Sequence, residues 1–179
     1  MPDLVGSTVE VPVLETARLR LRGHRLDDFA ACKAMWSDPV VFRHIGGKPF
    51  SPEEVWTRLL RYVGHWAWLG FGYWAVEEKA SGRFIGELGF GNYQRDIEPT
   101  LTDVPELGWA LVSQAHGKGY ATEGVGAAIA WGDQHFGQAR TACLIHPDNA
   151  ASIRVAHKCG YRELRRTRYK DHDVLWFGR

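Results

Sequence analysis

Two glycines with one lysine between them are the most chemically suggestive residues in this chain. Gly117-Lys118-Gly119 closes the turn that begins Gln114-Ala115-His116, and Tyr120 and Ala121 then open a long helical pattern. The first N–H groups of a helix have no partner inside it, and the helix dipole places about half a positive charge there. Glycine lets the main chain approach a ligand with no Cβ between them. Such a turn ahead of a helix can seat a phosphate, although a plain tight turn would read the same way.

Spacing argues against two familiar phosphate motifs. A dinucleotide fingerprint wants a third Gly or Ala where this chain has Thr122. A Walker loop needs Ser or Thr after its Gly-Lys, and here Gly119 follows Lys118. Gln-x-x-Gly-x-Gly at Gln114, Gly117 and Gly119, lying between a strand and a helix, instead resembles the acetyl-CoA pyrophosphate loop of the GNAT acyltransferases. The words around it resemble the RimJ/RimL branch, named for ribosomal-protein N-terminal acetyltransferases. They are Glu106-Leu107-Gly108-Trp109, Gly117 to Glu123, His146 to Val155, and the opening Glu15 to Arg22. The resemblance runs from about Leu14 to Phe177, nearly the whole chain.

The resemblance implies an acetyl-CoA-dependent N-acetyltransferase working by direct transfer in a ternary complex. The acceptor amine must lose a proton before it attacks the thioester, the carbonyl oxygen gains charge, and the departing thiolate needs a donor. Glu106, at the start of the central strand, is the candidate base; a strand-end glutamate facing solvent is the alternative. Family members stabilise the carbonyl with a strand amide, here near Ala110 or Leu111. The amides of Val112 and Ser113 would pair with the pantetheine arm. Gln114, His116, Gly117, Lys118, Gly119, Tyr120 and Ala121 would take the pyrophosphate. Many relatives carry a tyrosine seven residues beyond the Asn of the last helix, but that position is Ala156 here. Asn149 and Ser152 match the Asn-x-x-Ser of the RimJ/RimL branch, so the Ser152 hydroxyl is expected to serve the thiolate. As a plain pair they are a helix cap and a first-turn residue. The acceptor is a protein N-terminus, a small amine of the aminoglycoside kind, or a polyamine or amino-acid derivative. A non-catalytic acyl-CoA sensor is the rival reading. The resemblance leaves room for a homodimer.

Other chemistries find no support in the motifs. The eight histidines include no HExxH, no Cys or His falls at zinc spacing, and no Gly-x-Ser-x-Gly elbow is present.

The elements that must position these residues follow from periodicity and punctuation. Residues 1–12 read as a loose arm. Leu14 to Leu21 alternates as a half-exposed strand. Asp27 or Asp28 caps a helix through Met35 and Trp36 that stops near Asp38-Pro39. Ser51-Pro52-Glu53-Glu54 is a strong helix start, and Val55, Leu59, Leu60 and Val63 follow. Aromatic residues then crowd the chain; most read as core, with Trp66 and Trp68 as candidates for the acceptor pocket. Tyr73 to Glu78 and Arg83 to Tyr93 form a hairpin about Lys79 to Gly82. Gln94 to Asp103 is a loop whose Asp96, Glu98 and Asp103 are solvated or else overhang the cleft, favouring a cationic amine. Pro105 to Val112 is a buried strand, and the helix from Tyr120 buries Ala121, Val125, Ala128, Ile129, Gly132 and Phe136. Ala139 to Ile145 is a strand, Asn149 caps Ala150 to Lys158, Gly160 ends that helix, and Glu163 to Tyr169 with Asp173 to Phe177 closes as a hairpin. In the GNAT plan this order makes an α/β (α+β) fold: a mixed, mostly antiparallel sheet, splayed in the middle, with helices on both faces.

At 179 residues the chain reads as a single domain, 1–179. Its 22 basic and 21 acidic residues nearly cancel, so no nucleic-acid partner is expected. No apolar run reaches membrane length, and three scattered cysteines suit reduced thiols in a cytoplasm.

Overall fold

The computed structural model describes residues 9–98, 100–101, 103–137 and 139–179. Eight strands form one sheet in the order β1-β2-β3-β4-β5-β6-β8-β7. They are β1 (Leu14–Glu15), β2 (Leu19–Arg22), β3 (Tyr73–Glu78), β4 (Arg83–Gly91), β5 (Glu106–Leu111), β6 (Ala142–Ile145), β7 (Arg162–Tyr169) and β8 (His172–Gly178). Every neighbouring pair is antiparallel except β5 and β6, which run parallel. That pair is in register at Glu106 and Ala142 alone, where Ala142 N–H donates to Pro105 O at 3.0 Å. Beyond this point the two strands no longer pair, and the mixed sheet parts there, the splay that the family resemblance implies.

The expected first strand is two short ones. Thr16 turns the chain, its N–H donating to Leu19 O at 2.9 Å, so Leu14 pairs with Leu21. The expected loose arm is partly tied down. Val9 and Val11 pack on the core, and Pro12 O accepts the Trp74 indole N–H at 2.8 Å, while residues 1–8 lie outside the described region.

Helices cover both faces. On one lies α4 (Tyr120–His135), whose Gly124, Val125, Ala128, Ile129 and Gly132 bury against Leu19, Leu88, Phe90 and Leu107. The opposite face carries α1 (Phe29–Trp36), a one-turn α2 (Pro39–Phe42) and α3 (Pro52–Leu69). There Cys32, Met35, Trp36, Val55, Leu59 and Tyr62 form a second core with Tyr73 and Ala110. The start of α3 is as the residue types predict. Ser51 Oγ accepts from Glu54 N–H at 3.1 Å, and Glu54 Oε2 returns the bond to Ser51 N–H at 2.7 Å, worth about 1 kcal/mol. Its buried face is Val55, Leu59, Tyr62 and Trp66; Leu60 and Val63 point outward. Last in the chain, α5 (Ala150–Lys158) follows β6 and ends at Gly160, whose φ of +86° is a left-handed conformation.

Two ion-pair clusters lock the early strands. Arg22 grips Asp28 through two bonds of 2.8 and 2.9 Å, both residues buried, and reaches the half-buried Glu77 at 3.0 Å. Glu123 on α4 accepts from Thr16 Oγ1 at 2.6 Å, Arg18 N–H at 2.8 Å and Arg18 Nε at 2.7 Å. The opening strand word and the long-helix word of the sequence thus meet in one cluster, which seats the N-terminus of α4.

Candidate active site

Main-chain direction prepares the opening between β5 and β6. Alternate residues of a strand turn their N–H and C=O to alternate sides. Val112 N–H donates to Ile85 O on the β4 side at 2.9 Å, and Pro105 O accepts from β6. Trp109 and Leu111 therefore present their main-chain groups to the gap. The expected Val112 amide is already spent on the sheet, and Ala110 faces β4 by the same alternation, so of the two expected donors only Leu111 turns its main chain to the gap. His116 Nε2 lies 2.9 Å from Leu111 O, so this side chain braces the strand end.

The turn has the conformation a phosphate seat needs. Gly117 and Gly119 lie at φ +74° and +81°, where a side chain is disfavoured, and a Cβ at Gly117 would meet nothing within 4 Å. Gly119 is the N-cap of α4 with no side-chain cap. Glu123 N–H is taken by Gly119 O at 3.1 Å, so the amides of Tyr120, Ala121 and Thr122 precede the first intrahelical bond.

Two cavities flank this strand. The first, about 330 Å³, is lined by Leu111, His116, Gly117, Gly119, Tyr120, Ala121 and Thr122 on the turn side and by Asn149, Ser152, Arg154 and Lys158 on the α5 side. The second, about 630 Å³, lies under α1 and α3 and includes Trp36, Phe50, Arg58, Tyr73, Glu87 and Tyr93. Both are lined by His44, Ile45, Trp109, Ala110, Asn149 and Ser152, and that shared ring is where they meet. The Asn149 side chain accepts from Ser152 N–H at 3.1 Å and caps α5, which aims the first turn of that helix at the junction. The open edge of β5 and the Ser152 hydroxyl at a helix N-terminus stand together there, and the glycine turn lines the first cavity beyond them.

Residues 18–162 match the family model described as an acetyltransferase (GNAT) domain. The chain belongs to the GNAT acetyltransferase family. A Bacillus subtilis relative, the uncharacterized protein YkkB, is 36% identical over 153 residues, covering 82% of this chain and 83% of that one. A solved GNAT-family acetyltransferase of Bordetella pertussis superposes with a TM-score of 0.82 at 28% identity, covering 94% and 99% of the two chains. RimL, a ribosomal L7/L12 α-N-protein acetyltransferase solved with coenzyme A, shares the fold at a TM-score of 0.75 and 17% identity, covering 94% and 97%.

Within this GNAT domain the expected site residues separate into groups. Leu111, His116, Gly117, Gly119, Tyr120, Ala121, Asn149 and Ser152 all line the first cavity. Gln114 and Lys118 are exposed and line neither cavity; the Lys118 carbonyl accepts from Arg18 Nη1 at 2.9 Å. The Tyr120 hydroxyl donates to Glu78 Oε1 at 2.6 Å, so this residue offers its ring and amide rather than its phenol. Glu106 is 8% exposed and held by Arg95 in a two-point pair of 2.6 and 2.7 Å, and Arg95 rather than Glu106 reaches the second cavity. Trp66 and Trp68 are not at the pocket. Trp66 is core, its indole N–H bonded to Tyr73 O at 3.0 Å, and Trp68, two residues on, falls on the outer side of the helix at 90% exposure. The loop acids Asp96, Glu98 and Asp103 are exposed and line neither cavity, while Ile97 and Leu101 of that loop pack on Ala142.

Three side chains went unforeseen. Glu87, 1% exposed on β4 opposite Ala110, accepts from the Tyr62 hydroxyl at 2.5 Å and the Trp36 indole at 3.2 Å. Burial pushes its carboxyl up, but His24, Arg58 and Tyr62 close by more than offset this and hold it below the usual range. Arg58 stacks on Trp36 at 4.4 Å and Phe50 at 4.8 Å. His44, just after α2, has its pKa lowered by burial and by Arg43. Asp38 places α2 by accepting from Val40 N–H at 2.9 Å and Ser113 Oγ at 2.6 Å. The periodicity ahead of Ser51 gave no sign that this turn would form a wall of the site.

Among the described residues, no helix is long and apolar enough to cross a membrane. Cys32, Cys143 and Cys159 are free thiols.

Proposed function

We propose that this chain transfers an acetyl group from acetyl-CoA to a primary amine, by direct attack with both substrates bound. The observation that carries the reading is the meeting of the two cavities at Trp109, Ala110, Asn149 and Ser152. A cofactor arm coming from one side and an amine from the other reach each other at that ring and nowhere else along β5.

The residues present fit coenzyme A. The amides from Gly117 to Thr122 suit a diphosphate, Arg154 and Lys158 add cationic rim, and the Trp109–Leu111 edge suits the amide groups of an extended pantetheine. When bound, acetyl-CoA supplies an activated thioester whose acetyl group passes to the amine as the CoA thiol is released. The Leu111 N–H is the donor for charge on the carbonyl oxygen. Ser152 Oγ, at the positive end of α5, donates to the leaving sulfur.

For the proton on the amine, Glu106 is the proposed acceptor, through water, with Arg95 rotated from its carboxylate. His44 is the second reading, favoured by one observation: it lines the junction and Glu106 does not. Its lowered pKa leaves the imidazole neutral and able to accept at pH 7. The amine belongs to a protein N-terminus or a small molecule.

Thioester consumption measured with a panel of amines and N-terminal peptides tests the reading. Turnover well above the acceptor-free rate is expected. Tight CoA binding without turnover for any amine would make the chain a sensor of acyl-CoA.

A further inference from the structure

The second cavity carries an unbalanced charge. Arg58, Arg61, Arg95 and Lys170 line it, and Glu87 is the carboxylate among its lining residues. Arg95 is neutralised from behind by Glu106, and Arg58 reaches Glu87 through the Tyr62 hydroxyl, but among the described residues no carboxylate lies within ion-pair distance of Arg61 or Lys170.

The arginines are also held in place. The Arg58 guanidinium lies 4.4 Å from the Trp36 ring and 4.8 Å from the Phe50 ring, which stack on each other, and its Nη1 donates to the Tyr62 hydroxyl at 3.1 Å. Arg61, one turn of helix α3 further on, lies 5.0 Å from the Tyr93 ring, and Arg95 lies 4.7 Å from the same ring. Aromatic faces fix the planes of these forks. Arg95 spends Nε and Nη2 on Glu106 and Arg58 spends one N–H on Tyr62, so the remaining Arg58 donors and those of Arg61 can meet a ligand with part of their ordering cost already met. Planar, pre-oriented guanidinium forks suit a carboxylate, and a polycation entering this space would be repelled.

Resting on the acetyltransferase reading, we propose that the acceptor is a primary amine bearing a carboxylate, which Arg58 and Arg61 hold while the amine lies at the Trp109–Ser152 junction. That carboxylate comes either from a free amino acid or from an acidic residue near a peptide N-terminus. Polyamines and aminoglycosides are excluded as preferred acceptors by the charge of the wall.

The test pairs each acid with its uncharged amide: amino acids against their carboxamides, and peptides with Asp or Glu next to the N-terminus against Asn or Gln versions, with spermidine as the polycation. Acceptor binding is read by calorimetry in the presence of CoA, alongside kcat and KM. The acid form is expected to bind about tenfold tighter than its amide, the difference appearing in KM. Arg61→Gln, at an exposed position of α3, should erase that ratio, and Arg61→Lys should restore part of it. Preference confined to the free amino acids, or to the acidic peptides, identifies the source of the carboxylate. Equal binding of acid and amide, an unchanged ratio in Arg61→Gln, or preferred turnover of spermidine would overturn the proposal. Those results leave the acetyltransferase reading standing wherever CoA binds and some amine is acetylated. Absence of CoA binding sinks the acetyltransferase reading itself.

Discussion

Gly117 and Gly119 adopt φ values of +74° and +81°, and each substitution there has two separable effects. A β-branched residue in the left-handed region costs roughly 1–2 kcal/mol, and its side chain would intrude where the proposed diphosphate approaches. Gly119→Val is expected to weaken CoA binding at least about tenfold by calorimetry, beyond any drop in melting temperature; unchanged affinity would remove the seat. Ser152→Ala should slow kcat about tenfold, the worth of one hydrogen bond, and leave CoA affinity nearly unchanged. Substitution tells the two proton acceptors apart. If Glu106 serves, Glu106→Gln lowers kcat and His44→Ala leaves it nearly unchanged. If His44 serves, the acidic limb of the profile lies below the ordinary histidine value of about 6.5, because burial and Arg43 depress it, and His44→Ala removes that limb. Residue types announced the glycines, Asn149 and Ser152, because backbone freedom and helix capping are local properties. Glu87, Arg58 and His44 gave no such sign, since their importance comes from what the sheet brings beside them.

Elements were legible wherever chemistry at their ends is local. The capping box at Ser51, the cap at Asn149 and the glycine stop at Gly160 all stand where the residue types put them. Facing was harder. On α3 the aromatic residues are crowded toward its end, so composition suggested a pocket at Trp66 and Trp68, whereas helical phase put one in the core and one in solvent. Position in the sheet also decided the Val112 amide, which a reading of one strand cannot see is already paired. The Arg22–Asp28 pair belongs to this scale, because it ties β2 to the turn before α1. The Arg22 and Asp28 side chains are 9% and 6% exposed, so leaving one without the other should cost about 3 kcal/mol. Asp28→Asn should therefore lower the urea midpoint at pH 7. Burial pushes the Asp28 carboxyl up, but the bonds from Arg22 and Arg25 outweigh it and leave the pKa below its usual value. Its contribution is then full above about pH 4, the unfolded value, and is lost as pH falls through the lower folded value. The deficit of the variant should shrink toward pH 3; an equal deficit at pH 7 and pH 3 would assign the effect to packing.

Across the whole molecule the charges nearly cancel, 22 basic against 21 acidic, and that balance hides a basic lining in the larger cavity. The acids sit largely in surface pairs and exposed loops, while arginines collect on the wall of the larger cavity. Net charge is an average over the surface, so it could exclude a broad basic face but could not report a cleft. The splayed sheet was legible as a plan from motif order; the parting of β5 and β6 after Glu106 supplies its physical form. The account rests on coenzyme A entering that parting and being held by main-chain N–H groups at the head of α4. A crystal structure of the chain with acetyl-CoA measures this most directly. The account predicts the diphosphate against the amides of residues 117–122, with the pantetheine along the Trp109–Leu111 edge and its sulfur beside Ser152. A diphosphate bound at any other surface, or a pantetheine that leaves that edge free, would contradict it.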